Sequence, residues 1–199
     1  PVIAWSMELF NSLPGIDRIV IVVPGEHKSD VESIARRFGI YRLFAVLPGG
    51  STRQVSARNA LDLLHSADND ILIFHDAARP FITAPIVSQC LADARAHGAA
   101  AVYVPVRDTL AVIQDGFISS VPPRAMMHHA QTPQAFRTGL IFKAHQRARR
   151  EGVTATDDAQ LVERLGAPVH VVAGSRTNLK ITTAEDLILA EALLQAGCV

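Results

Sequence analysis

The stretch His75-Asp76-Ala77-Ala78-Arg79-Pro80 follows directly on an apolar run, Asp70–His75. A carboxylate at the end of a buried strand is aimed at whatever lies beyond the sheet. Arg79, three residues later, offers a planar fork suited to phosphate or hydroxyl oxygens. Ala77 and Ala78 are small and leave room for a flat or bulky group. The plain structural reading of the same residues is a capping Asp with a surface Arg.

A second stretch, Pro48-Gly49-Gly50-Ser51-Thr52-Arg53, leads into a helical pattern with Ser56 in its first turn. Paired glycines permit close backbone approach. Free N–H groups at a helix start attract anions or base oxygens. An ordinary strand-to-helix turn would look similar. A third stretch, Asn178-Leu179-Lys180-Ile181-Thr182-Thr183, precedes the last helical run. Of 19 basic residues 16 are Arg and three are Lys, which singles out Lys180. An ammonium is a compact point charge, suited to a transferring phosphoryl group. Thr183 and Asp186 read as a capping box, so the threonine pair has a structural explanation. In a fourth stretch, Gln131-Thr132-Pro133-Gln134 follows Arg124, which lies between two prolines and two methionines. A charge in that setting asks for a partner. The adjacent His128 and His129 read as ordinary arm residues.

These residues need elements to position them. Strand patterns fall on Ile16–Pro24, Phe44–Leu47, Asp70–His75, Ala99–Val106 and Val169–Ala173. Helical patterns fall on the first ten residues, Lys28–Gly39, Gln54–Ala67, Ile82–Gly98, Arg137–Gly152, Asp157–Gly166 and Ala184–Gly197. This alternation predicts an α/β fold with a mostly parallel sheet and helices on both faces. Ligands of such sheets bind beyond the C-terminal strand ends, where Gly49, Asp76 and Lys180 fall. Residues 107–134 break the pattern. Thr109–Ile113 and Phe117–Val121 flank Asp115-Gly116 and predict a β-hairpin. A two-stranded ribbon is marginal alone, so the hairpin reads as a protruding β-arm for oligomerisation.

Composition sets the bounds. The chain has 199 residues, 49% hydrophobic, with 19 basic and 19 acidic side chains. That suits one core-rich domain, residues 1–199, burying roughly 70% of its unfolded surface. A neutral balance argues against a general nucleic-acid binder and against disorder. No apolar run approaches the ~18 residues of a membrane span. Cys90 and Cys198 fit no metal spacing and read as reduced thiols of a cytoplasmic protein.

Taken together, the chain resembles the 2-C-methyl-D-erythritol 4-phosphate cytidylyltransferase family of the non-mevalonate isoprenoid pathway. The matching stretches are PGGSTRQVSARNAL, HDAARPF, VPVRDTL, AQTPQAF, TDDAQLVE and NLKITTAEDLILAEALL, in that order and over nearly the whole chain. The resemblance implies a Rossmann-like sheet and a β-arm that exchanges across a homodimer. It implies transfer of CMP from CTP to a polyol phosphate, with Mg²⁺ held mainly by the CTP phosphates and no protein metal cage. Carried over by motif, Gly49, Gly50, Ser51, Ser56 and Ala77 contact the nucleotide. Asp76 and Arg79 hold the polyol phosphate and the reacting end of the nucleotide. Lys180 is catalytic, and Thr109 and Arg124 reach the substrate phosphate from the partner's arm.

Two departures accompany the resemblance. The family's glycine-rich loop, L-A-A-G-x-G-x-R followed by Pro-Lys-Gln, lies upstream of where Pro1 aligns. A chain without it is expected to be nearly inactive, because the triphosphate loses a cradle. The Pro-Pro-Arg around Arg124 is more like the related ribitol 5-phosphate cytidylyltransferases, whereas TDDA and NLKITT favour the methylerythritol branch. A relative that binds nucleotide without catalysis is the alternative of another class.

Overall fold

The β-branched run Ile19–Val23 forms strand β1, and Leu43–Pro48 forms β2, parallel to it. Helices α1 (Val2–Ser12) and α2 (Lys28–Arg37) pack on this pair. Ala4, Met7, Val31 and Ala35 meet Ile21 and Val46 in one buried cluster. The computed structural model describes residues 1–64 and 70–199. Helix α3 spans Arg53–Leu63 and ends there, short of the expected Ala67, with Leu64 out of helical geometry; residues 65–69 lie outside the described ones.

The strands that follow are β3 (Ile71–Phe74), β4 (Ala99–Pro105), β5 (Val112–Gln114), β6 (Phe117–Ser120), β7 (His128–Arg137) and β8 (His170–Ala173). Between and after them run α4 (Ala84–His97), α5 (Thr138–Glu151), α6 (Asp158–Arg164) and α7 (Ala184–Gln195). The main sheet has the order β3-β7-β4-β8. Strands β3, β4 and β8 run one way, and β7 lies antiparallel between β3 and β4. The mostly parallel α/β sheet expected from the sequence is present, with this one strand reversed.

Strand periodicity explains why helices cover both faces. Ala99 and Ala101 of β4 and Phe136 of β7 pack against Ile141, Ala144 and Val162 of α5 and α6. The intervening Ala100, Val102 and Ala135 pack against Cys90 and Ala94 of α4. Alanines at the centre let the helices sit close, and Phe136 is fully buried. Each large apolar side chain so buried contributes about 1.5–3 kcal/mol.

The arm is shorter than residues 107–134. His128–Gln134 belong to β7, and His128 and His129 pair with Pro105 and Val104, so they are sheet residues. What protrudes is the β5–β6 hairpin. Asp115 and Gly116 both take positive φ, 51° and 83°, as a two-residue hairpin turn of this sequence requires. Residue Phe117 at its tip is 78% exposed.

Strand β1 pairs only with β2, and β3 only with β7, among the described residues. The remaining edges of β1 and β3 border a cleft of about 420 Å³. Its walls are apolar, including Met7, Ile21 and Ile73, and its rim carries Arg53, Ser56, Asp76 and Ala77.

Candidate active site

Strand β3 ends at Phe74, and the next two residues form the first wall of the site. His75 is held on both ring nitrogens. One lies 3.2 Å from the Arg79 carbonyl and the other 3.1 Å from Thr132 Oγ1. A neutral ring satisfies both: Nε2–H donates to the carbonyl and Nδ1 accepts the threonine hydroxyl. Thr132 Oγ1 in turn accepts the Asp76 N–H at 3.0 Å. Burial is the main cause of the depressed His75 pKa, lowered from 6.5 to about 4. At neutral pH the ring is therefore a fixed brace.

Two cations converge on Asp76. Lys180 Nζ lies 3.2 Å and Arg79 Nε 3.3 Å from Asp76 Oδ2. Burial raises the Asp76 carboxyl, but Lys180 by charge and hydrogen bond, then Arg79 and Arg53 by charge, outweigh it and leave it below the ordinary aspartate value. Arg79 also donates from Nη1 to the Asn178 carbonyl at 2.8 Å. The Ile181 N–H donates to the Ala78 carbonyl at 2.8 Å. The segments around Asp76 and Lys180 are thus clamped together by backbone as well as by charge.

Asn178 supplies the anchor. Its Nδ2 donates to Gln131 Oε1 at 3.1 Å and to the Thr132 carbonyl at 3.0 Å. Gln131 returns a bond from Nε2 to the Ser175 carbonyl at 2.8 Å. Both side chains are buried. They pin the loop after β8 to β7, which fixes where Lys180 emerges. The Lys180 side chain keeps 44% of its surface exposed, so its ammonium can reach a bound anion.

The glycine turn after β2 forms the opposite rim. Ser56 Oγ accepts the Gly50 N–H and donates to the Thr52 carbonyl, both at 3.0 Å. Thr52 Oγ1 caps α3 by accepting the Val55 N–H at 3.1 Å. A Cβ on Gly50 would lie 2.1 Å from Val55 Cγ1 and 2.6 Å from Val55 Cβ, so no side chain fits there. Gly49, Gly50 and Ser51 remain exposed. Next to the turn, Arg53 Nη1 lies 2.7 Å from Asp158 Oδ2, and His145 Nε2 lies 2.9 Å from Asp158 Oδ1. Asp158 is fully buried. Gln134 Oε1 accepts the N–H groups of Asp158 and Ala159 at the start of α6. This braces α3 against α5 and α6.

The structure thus brings Asp76, Arg79 and Lys180 together, with Ala77 beside them and Ser56 lining the same cleft, bonded to the turn that carries Gly49, Gly50 and Ser51. Thr109 and Arg124 are not joined to them. Both are exposed, and Arg124 Nη1 donates to the Arg107 carbonyl at 2.8 Å, which closes the base of the arm. Sequence reasoning missed the supporting roles of Gln131, Thr132, Gln134 and Asn178. The signal was polar side chains set within AQTPQAF and just after an apolar strand, where buried polar groups need partners.

A family model described as 2-C-methyl-D-erythritol 4-phosphate cytidylyltransferase matches residues 1–196. A curated relative of that name from Geobacter metallireducens is 40% identical, over 98% of this chain and 85% of its own length. One from Desulforamulus reducens is 43% identical, over 98% and 84%. Among solved structures, the 4-diphosphocytidyl-2C-methyl-D-erythritol synthase of Anaerococcus prevotii superimposes with a TM-score of 0.89 at 28% identity, covering 98% of this chain and 86% of that one. The 2-C-methyl-D-erythritol 4-phosphate cytidylyltransferase of Thermus thermophilus gives 0.81 at 36% identity, covering 98% and 88%.

Proposed function

Given that this chain belongs to the 2-C-methyl-D-erythritol 4-phosphate cytidylyltransferase family, we propose that it transfers CMP from CTP to 2-C-methyl-D-erythritol 4-phosphate and releases pyrophosphate. The observation that carries the reading is the convergence of Lys180 and Arg79 on Asp76 at the end of β3. Asp76 lines one cleft with Arg53 and Ser56, and Ser56 is bonded to the Gly49–Gly50 turn.

The chemistry asks little of a general base, because the nucleophile is already a phosphate oxygen. That oxygen forms a bond to the α-phosphorus of CTP, and the α-phosphorus–oxygen bond to the β-phosphate breaks. The electron pair leaves with pyrophosphate. The obstacle is bringing one anion onto another in line, so catalysis is positioning and charge neutralisation. Lys180 and Arg79 supply positive charge where negative charge accumulates. Asp76 holds both cations on the substrate side, and its own ionised state keeps them oriented. The Gly49–Gly50 turn and Ser51 offer exposed backbone and hydroxyl groups for the nucleotide, with Ala77 leaving room beside it. In this reading Ser56 acts mainly by holding the turn, since its hydroxyl is engaged on both sides.

The residues fit a magnesium ion of the kind that binds mainly to phosphates and water. They offer one ionised carboxylate, Asp76, whose Oδ1 accepts no hydrogen bond among the described residues. When bound, the ion screens the phosphate charges. Asp76 and the substrate phosphates would hold it.

Homodimerisation through the arm belongs to the same reading. Phe117, Ile118 and Ile113 are exposed on the hairpin, and Arg124 bonds to the Arg107 carbonyl rather than to its own chain's Asp76 cluster. A partner's arm would bring such residues to the substrate phosphate. The remaining edges of β1 and β3 would accept an extended strand, a seat for the upstream glycine-rich loop that the resemblance implies. A cytoplasmic setting accords with two free cysteines. No helix of the described residues is long and apolar enough to cross a membrane.

The test is pyrophosphate release by the full-length protein with Mg²⁺-CTP and either polyol phosphate. Release with 2-C-methyl-D-erythritol 4-phosphate is expected. Release only with ribitol 5-phosphate would overturn the substrate, and release with neither would overturn the enzyme reading.

A further inference from the structure

A second cluster of chemistry-bearing side chains lies at the other end of the sheet. Asp93 and His97 stand one turn apart near the C-terminal end of α4, and His170 opens the edge strand β8. Ligand atoms from all three lie within 4.8 Å of one another. The two imidazoles stack with centroids 4.4 Å apart and planes 15° apart. His170 Nδ1 is 3.1 Å from Asp93 Oδ2. Since Asp76 and Lys180 follow the C-terminal ends of β3 and β8, this cluster is separate from the candidate active site.

We propose that Asp93, His97 and His170 form a binding site for a borderline divalent transition-metal ion such as Zn²⁺.

The donor set carries the argument. Two imidazole nitrogens and one carboxylate oxygen suit zinc, cobalt or nickel, whereas magnesium prefers an all-oxygen shell. Tetrahedral zinc with bonds of about 2.1 Å keeps ligand atoms about 3.4 Å apart. The Asp93–His170 pair, at 3.1 Å, is already near that spacing, and the other pairs need to close by no more than about 1.4 Å. His97 and the His170 side chain are exposed, so rotamer adjustment is open to them. Asp93 Oδ1 accepts a bond from Gln89 Nε2 at 2.8 Å. That outer partner orients the carboxylate and leaves Oδ2 facing the histidines, as supporting residues of metal sites do. The end of a 14-residue helix adds negative potential that favours a cation. Cys90, one turn earlier, is buried and bonded to the Ala100 and Pro133 carbonyls, so it stays outside the set. With three protein ligands the fourth position falls to water. The consequence is a cross-link between α4 and β8 that is independent of the transferase reaction.

The test uses full-length protein stripped of metal, titrated with Zn²⁺ by calorimetry and with Co²⁺ by visible absorption. One-to-one binding is expected, with a Co²⁺ spectrum of low coordination number. Saturating zinc should raise Tm by about 5–10 °C. Asp93→Asn, His97→Gln and His170→Gln should each weaken binding at least about ten-fold and keep the metal-free Tm. A His128→Gln, His129→Gln control should bind as the parent does, and excess Mg²⁺ should not compete. No stoichiometric binding would overturn the proposal. So would binding that survives all three variants, is lost in the control, or yields to Mg²⁺.

Discussion

The ammonium of Lys180 lies 3.2 Å from Asp76 Oδ2, although the two residues belong to opposite halves of the chain. Their meeting depends on two buried amides, Gln131 and Asn178, which fasten the loop after β8 to β7. A half-exposed ion pair of this kind contributes little to stability, roughly 0–1 kcal/mol. Its value is positional: it keeps a mobile cation at the rim where phosphates would bind.

Lys180→Ala should therefore separate activity from folding. The expected loss in kcat is about 10²–10³-fold, the scale for removing one group that stabilises developing charge. Thermal unfolding should shift by no more than about 2–4 °C. Steady-state kinetics and calorimetry on the same preparation check this, and unchanged turnover would remove Lys180 from the mechanism.

His75 should shape the acid side of the stability profile. Its folded pKa is about 4, below the roughly 6.5 of an unfolded chain. Between these values the unfolded state binds the extra proton. The contribution is thus fully present above pH ~6.5 and is lost as pH falls toward ~4. Its size is on the order of 3 kcal/mol. Denaturant unfolding from pH 7.5 to 4.5 should show the slope, and His75→Gln should flatten it.

Gly50→Ala forces a Cβ into the Val55 side chain at the start of α3, so the turn or the helix start must shift. Either shift disturbs the Gly50–Ser56 bond. Overpacking of this kind costs typically about 1–3 kcal/mol. The expected pattern is a KM for CTP raised at least about ten-fold with a smaller change in the KM for the polyol phosphate. Equal effects on both substrates would place the turn elsewhere in the reaction.

Asp158→Ala removes the shared partner of Arg53 and His145. The loss leaves the buried His145 imidazole and the half-exposed Arg53 without their acceptor, a cost of about 1–3 kcal/mol. Chemical denaturation should report that loss. Arg53→Ala, which leaves the fully buried Asp158 carboxylate without its cation, should cost at least as much.

The arm can be tested without touching the cleft. Phe117→Ser combined with Ile118→Ser removes exposed apolar surface from the hairpin. Equilibrium sedimentation should show a shift from dimer to monomer, with turnover falling in parallel. With the hairpin intact, Arg124→Ala should raise the KM for the polyol phosphate about 10–100-fold, the scale of a charge-assisted hydrogen bond. A fully active monomer would refute the exchanged arm.

Much of this was legible along the chain because it is local. Periods of two and 3.6 residues located the strands and helices, the Asp-Gly pair marked the hairpin turn, and Thr183 with Asp186 forms the expected capping box. Motif order located Asp76, Arg79 and Lys180. Strand β7 was hidden. Its sequence mixes Gln131, Thr132 and Gln134 with apolar neighbours, and a polar side chain in a core strand is stable only when a distant residue completes its hydrogen bonds.

By itself, then, the sequence determined the element types outside residues 107–137, the positions of the candidate site residues after strand ends, and the family. Those follow from short-range sterics and from the pattern of apolar residues. Tertiary structure alone decided that β7 runs reversed between β3 and β4, that Asp76 gathers both cations, and that Ser56 is spent on its own turn. It also brought His170 beside Asp93 and His97. Such pairings arise because buried polar and charged groups must find partners wherever packing delivers them, and packing joins residues that no spacing along the chain relates.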